Sequence, residues 1–204
     1  MNWRLSFWAS MWFTDDGQME IILLRHGKPD VSIDSRISIR QLSPMIAAYN
    51  NSGVSQSAPA ASINIAQSCE HIVCSDLPRS IQSAQRLGLK HIHVSSPVFR
   101  EVDLPVSVWP SPKMSAYFWF AFFRLIWFMG HRAKGESLSA ARVRAATGMR
   151  ELTQLAQTHG RVLLVGHGLL NQFIAKQLLA NGWQGPRHPG SKHWEYSCYK
   201  YTGR

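Results

Sequence analysis

Ile21-Ile22-Leu23-Leu24-Arg25-His26-Gly27 begins the regular patterning of this chain of 204 residues. Four consecutive apolar, β-favouring residues predict a buried strand. A guanidinium, an imidazole and a glycine follow it without a spacer. The arrangement returns far downstream as Val162-Leu163-Leu164-Val165-Gly166-His167-Gly168. In an open α/β sheet, ligands sit just beyond the carboxyl ends of the strands. If the two strands are parallel neighbours, both imidazoles reach the same crevice.

Between them, 71–75 (His-Ile-Val-Cys-Ser) predicts another strand. Ser75 or Asp76 is placed to cap the helix that follows, with Pro78 in its first turn. Ile81, Ala84 and Leu87 form its apolar stripe, and Gly88 ends it. Arg79 falls in the first turn. Free backbone N–H groups and the helix dipole there favour an anion, so an arginine is unfavourable unless an anion compensates it.

Residues 39–49 predict a short helix with Leu42, Ile46 and Tyr49 on one face. The Ser-, Asn- and Pro-rich stretch 50–62 predicts a loop, and 91–94 a short strand. Ser137 caps a helix running to about residue 159. A strand at 161–166 and a helix at 169–180 follow. Alternation at Trp194, Tyr196 and Cys198 predicts a final edge strand.

Residues 114–130 hold eight aromatics in seventeen positions. The run is slightly short for a membrane span, and Arg124 lies inside it. Three readings follow: a helix covering the site, a dimer contact, or an amphipathic segment resting on a membrane. Residues 1–18 differ from the rest. Arg4 precedes an apolar run, but serines interrupt it and no clear cleavage site follows. They read as an N-terminal extension before one domain at 19–204, with an aromatic-rich insertion at about 105–134.

Hydrophobic residues make up 45% of the chain, enough for a globular core, and the net charge is +10. That charge suits an acidic substrate, an anionic surface or simply a solvated basic exterior. No block of like charge and no nucleic-acid motif occurs, so no nucleic-acid partner is expected. Cys69, Cys74 and Cys198 form no spacing pattern, which points to a reducing, cytoplasmic location. No zinc-type spacing appears, and neither metal nor cofactor is expected.

Leu-Arg-His-Gly early, Ser-x-Leu-x-Arg at Ser75–Arg79 and Gly-His-Gly late resemble the histidine phosphatase (phosphoglycerate mutase-like) superfamily, over roughly Met19 to Tyr201. The resemblance implies a three-layer α/β/α sandwich with a mostly parallel central sheet. It implies His26 as the nucleophile, carrying a phosphohistidine. Arg25, Arg79 and His167 would surround the phosphoryl group. Glu101, with Asp103 in reserve, would be the proton donor. Ser32 stands where many members carry a small polar residue that touches phosphate. Gly168 after His167 resembles the mutase-like branch. The implied activity is a metal-independent phosphatase acting on a small phosphorylated substrate. The same site would serve a phosphomutase, or a phosphate-binding or peripheral interaction module with little turnover.

Overall fold

A computed structural model describes residues 19–130 and 135–202. The N-terminal extension 1–18 and the end of the aromatic insertion, 131–134, lie outside the described residues. The strands are β1 (Met19–Arg25), β2 (Arg36–Ile37), β3 (His71–Ser75), β4 (Val94–Ser96), β5 (Met114–Ser115), β6 (Arg161–Gly166), β7 (Trp183–Gln184) and β8 (Tyr196–Tyr201). The helices are α1 (Ile39–Asn51), α2 (Ala60–Gln67), α3 (Pro78–Arg86), α4 (Ala116–Phe128), α5 (Leu138–His159) and α6 (Gly168–Ala180).

Six strands form the central sheet in the order β4-β3-β6-β1-β8-β7. β1, β3, β4 and β6 are mutually parallel, and β8 is antiparallel to both of its neighbours. The expected adjacency holds, with Leu24 opposite Val165 and Arg25 opposite Gly166. Parallel strands covered on both faces read as continuous apolar runs. Accordingly Ile21, Ile22 and Leu24 are fully buried, as are Val162 to Val165. One face packs on α5 and α6 through Leu152, Leu170, Ile174 and Leu178. The other packs on α2 and α3 through Ala66 and Ala84. This is the three-layer sandwich expected from the sequence.

A third, smaller core joins α1 and α4 to the two-stranded β2–β5 ladder, centred on Ile39, Leu42, Trp119 and Phe123. The aromatic run is therefore a helix with one face buried in this core. No helix among the described residues is long and apolar enough to cross a membrane.

Several local expectations need correction. The loop read over 50–62 gives way to α2 at Ala60. The strand placed at 91–94 lies at Val94–Ser96. Leu77, not Ser75 or Asp76, is the N-cap of α3. Asp76 instead forms a two-pronged ion pair with Arg100, at 2.7 and 2.6 Å. Ile81 is only half-buried, because α3 turns Arg79, Ser80 and Ser83 inward beside Ala84. β8 is not the edge. The two-residue β7 pairs outside it, with Lys200 and Tyr201, and Trp194, Tyr196 and Cys198 do share one face, packed towards α2 and α3.

At the amino end of β3 the His71 ring is sandwiched between His93, at 4.4 Å, and His159, at 4.1 Å. Burial and these two neighbours lower its pKa below the ordinary 6.5.

Candidate active site

The site forms where β1, β3 and β6 end. His26 directly follows β1, and its N–H donates to the carbonyl of Gly166 at 3.0 Å. This backbone bond ties the end of β1 to the end of β6, so His26 and His167 face each other with ring centres 4.9 Å apart. Both are buried, at 2% and 0% exposure. Gly27 allows the close packing behind them, since a Cβ there would lie 2.2 Å from the Trp194 ring.

His26 Nδ1 lies 2.7 Å from the carbonyl of Gly27. A carbonyl can only accept, so Nδ1 carries the proton and Nε2 keeps its lone pair. Burial, then the Arg79 charge, lowers the His26 pKa well below 6.5; Arg25 and His193 add to this and the Gly27 bond opposes it. The ring is neutral at pH 7. His167 is lowered well below 6.5 too, by burial and then by His26, Arg79 and Arg25.

Arg79 sits in the first turn of α3 at 1% exposure. Its Nη1 donates to the Tyr49 carbonyl and to Asn50 Oδ1, both at 3.2 Å. Its guanidinium also lies 4.9 Å over the Tyr49 ring. Arg25 donates through Nη1 to the Ser191 carbonyl. Arg25 Nε, Arg79 Nε and His167 Nδ1 are buried without a protein partner. Three such nitrogens around a neutral histidine make a cradle for an oxyanion.

Glu101 closes another side. Its carboxylate accepts the backbone N–H groups of Val102, at 3.0 Å, Leu169, at 3.3 Å, and Leu170, at 3.1 Å. The last two open α6, where the dipole favours a negative group. The loop carrying it is clamped on both sides. Arg144 donates to the carbonyls of Val98 and Arg100 at 2.8 and 2.7 Å while paired with Glu136 at 2.6 Å. Arg124 donates to the carbonyls of Val102 and Asp103 at 3.0 and 3.2 Å.

Two cavities flank the cradle. One of about 350 Å³ is lined by Arg79 and Glu101 together with Ile46, Leu104, Tyr117 and Phe120. The other, about 460 Å³, is lined by Arg25, Lys28, Ser32 and His193. Tyr49 and Tyr117 border both. His26, Arg79, His167 and Glu101 thus gather as the sequence placed them, with Arg25 beside them. Asp103 shares the first wall but is exposed. Ser32 lines the second cavity from an exposed turn, donating to Asp34 Oδ2 at 3.3 Å.

Three contributors were not read from the sequence. His193 lies 5.3 Å from the His26 ring, and its Nδ1 meets the His26 carbonyl at 3.2 Å. Ser80 Oγ lies 3.3 Å from His167 Nε2. Ser83 accepts the Gly27 N–H at 2.8 Å and donates to the Arg79 carbonyl at 2.6 Å, joining the β1 loop to α3. The two serines had a detectable signal: with Arg79 they form a polar stripe on an otherwise amphipathic helix. His193 had none.

Comparison with known proteins gives a family and a fold. Residues 21–204 match the family model of the histidine phosphatase superfamily, branch 1. Among solved structures, a mycobacterial glucosyl-3-phosphoglycerate phosphatase is similar, with a TM-score of 0.59 and 21% identity over 90% of each chain. A phosphoglycerate mutase from Bacillus anthracis superposes with a TM-score of 0.59 and 14% identity, over 90% of this chain and 88% of its own. At these identities the likeness is one of fold. No curated protein matches in sequence.

Proposed function

The chain belongs to the histidine phosphatase superfamily, and on that premise we propose that it hydrolyses a phosphomonoester through a phosphohistidine on His26. The observation that carries this reading is the buried, neutral His26, with its proton fixed on Nδ1 by the Gly27 carbonyl. Neutral imidazole attacks a phosphate dianion without the repulsion an anionic nucleophile meets. In the first step a bond forms from His26 Nε2 to phosphorus and the ester P–O bond breaks. Arg25, Arg79 and His167 hold the phosphoryl oxygens, where guanidinium forks and N–H donors act most strongly on shifting charge. A Ser80 hydroxyl donating to His167 Nε2 leaves the His167 proton on Nδ1, the nitrogen without a protein partner. Glu101 enters the step protonated and gives its proton to the departing alkoxide, leaving the carboxylate that the Val102, Leu169 and Leu170 N–H groups hold. It then takes one from the water that attacks phosphorus, releasing orthophosphate and free His26. The apolar wall of Ile46, Leu104, Tyr117 and Phe120 suits a bulky, partly apolar alcohol. No step calls on a metal ion, and the location proposed is cytoplasmic.

The test is hydrolysis of 4-nitrophenyl phosphate in EDTA across pH 4–8, comparing wild type with His26→Ala, with acid-stable versus acid-labile protein-bound phosphate measured after rapid quenching. The expected result is turnover and acid-labile labelling in wild type and neither in the variant. Turnover retained by His26→Ala overturns the reading. A phosphomutase would return the group to an added alcohol phosphate instead of water. A phosphate-binding module would bind orthophosphate with no turnover.

A further inference from the structure

Helix α4 is apolar on both faces. Trp119, Phe123 and Trp127 are buried. The opposite stripe runs through Phe118, Ala121, Phe122, Leu125, Phe128 and Met129, with Phe118, Leu125, Phe128 and Met129 at 46, 59, 45 and 70% exposure. A surface helix ordinarily carries charged and polar residues there. The one charge on α4, Arg124, turns inward onto the carbonyls of Val102 and Asp103. Trp109 and Val108, 38 and 62% exposed, extend the patch across the preceding loop. There Trp109 meets Phe122 edge-on at 6.4 Å. Among the described residues, seven of the eight large hydrophobics most open to solvent lie between Val108 and Met129. A continuous apolar patch of this kind marks an interaction surface.

The surrounding charge selects the partner. From Leu104 to Gly135 the sequence has no Asp or Glu, and besides the inward-turned Arg124 it has Lys113, Arg132 and Lys134, the last two outside the described residues. Arg36 donates to the Lys113 carbonyl at 3.2 Å, adding its charge at the start of α4. Arg40 is exposed on the first turn of α1, which packs on α4. A second copy of the chain would bring the same positive charge to the contact. An anionic bilayer offers apolar depth to the aromatic stripe and negative headgroups to the basic rim.

We propose that the outward face of α4 docks on an anionic lipid surface. The helix lies in the interface plane and does not cross it: it spans 13 residues. Exposed Tyr117 and half-buried Phe120 of the same helix line the cavity beside Arg79 and Glu101, so docking sets that cavity against the headgroups.

The experiment is co-sedimentation of the full chain with phosphatidylcholine vesicles, with and without about 30% phosphatidylserine. The same is done with a Phe118→Ser/Leu125→Ser/Phe128→Ser variant. Wild type is expected to bind the anionic vesicles, bind pure phosphatidylcholine more weakly, and release as salt rises. The triple variant is expected to bind at least about tenfold more weakly, with an unchanged melting temperature. Leu125→Asp alone, the smallest change to the fold, repeats the comparison should the triple variant melt early. Failure of wild type to bind, equal binding by the variants, or a wild-type dimer that the variants dissociate would each overturn the proposal.

Discussion

Arg79 holds a full charge at 1% exposure, paired only to a carbonyl, an amide oxygen and the Tyr49 ring. A buried cation without an anionic partner costs several kcal/mol. The resting protein carries that cost at this side chain, and on the proposed function a bound phosphate would offset it. Arg79→Met keeps much of the volume and removes the charge, so the variant is expected to melt no lower than wild type. It is expected to lose about 3 kcal/mol of transition-state stabilisation, roughly a hundredfold in kcat/KM. Arg79→Lys should restore little, because a point charge cannot match two phosphate oxygens. Orthophosphate at about ten times its Kd should stabilise wild type by about 1.4 kcal/mol and leave Arg79→Met unmoved, as read by thermal shift. A variant melting well below wild type would refute this account. His26, Arg79 and His167 were legible because each sits at a fixed offset from a strand end. His193 was not, since a loop brings it back only through tertiary structure. Ser32 lies on the wall of the Arg25 cavity, bonded to Asp34 within its own turn.

Among elements, the loop bearing Glu101 has no regular structure of its own. It is held by arginines from α4 and α5 that saturate its carbonyls. Arg144, whose side chain is 21% exposed, is the more central because it also pairs with Glu136. Arg144→Ala strands that carboxylate and two carbonyls. A stability loss of roughly 2 kcal/mol is expected in urea titration. The same change should slow alkyl phosphates more than 4-nitrophenyl phosphate, whose leaving group needs no proton. Equal slowing of both would show that the clamp does not serve Glu101. The sequence yielded the long elements with clear periodicity. It missed α2, whose Ala-Ser-Asn composition resembles a loop until packing against β8 and β3 is known. The aromatic run was readable as a helix, but only the fold shows it apolar on both sides.

For the whole molecule, pH is the informative variable. His26, His71, His167 and His193 all have pKa values lowered from 6.5, in each case chiefly by burial. In the unfolded chain they take up protons near 6.5; in the folded chain they do so only at lower pH. Below about pH 6.5 the unfolded state therefore binds more protons, and stability falls as pH drops until the folded pKa values are passed. Each excess proton contributes about 1.4 kcal/mol per pH unit. Urea midpoints are expected to decline steadily from pH 7 towards 5, more steeply than one proton allows; a flat profile would contradict the burial assigned to these rings. The parallel pairing of β1 with β6 followed from the twin His-Gly strand ends. The place of β8 did not, because its outer neighbour β7 is only two residues long. That placement has a further consequence. β8 pairs with β1 from Met19 to Leu24, and Trp194, just before it, packs against Gly27. During translation β1 is made before every other strand of the sheet, and its flank stays open until β8, the last of them, follows. The nucleophile loop then acquires its backing. On the proposed function the polypeptide would stay inactive until then, and the apolar run Ile21–Leu24 would need shielding while β2 to β7 are made.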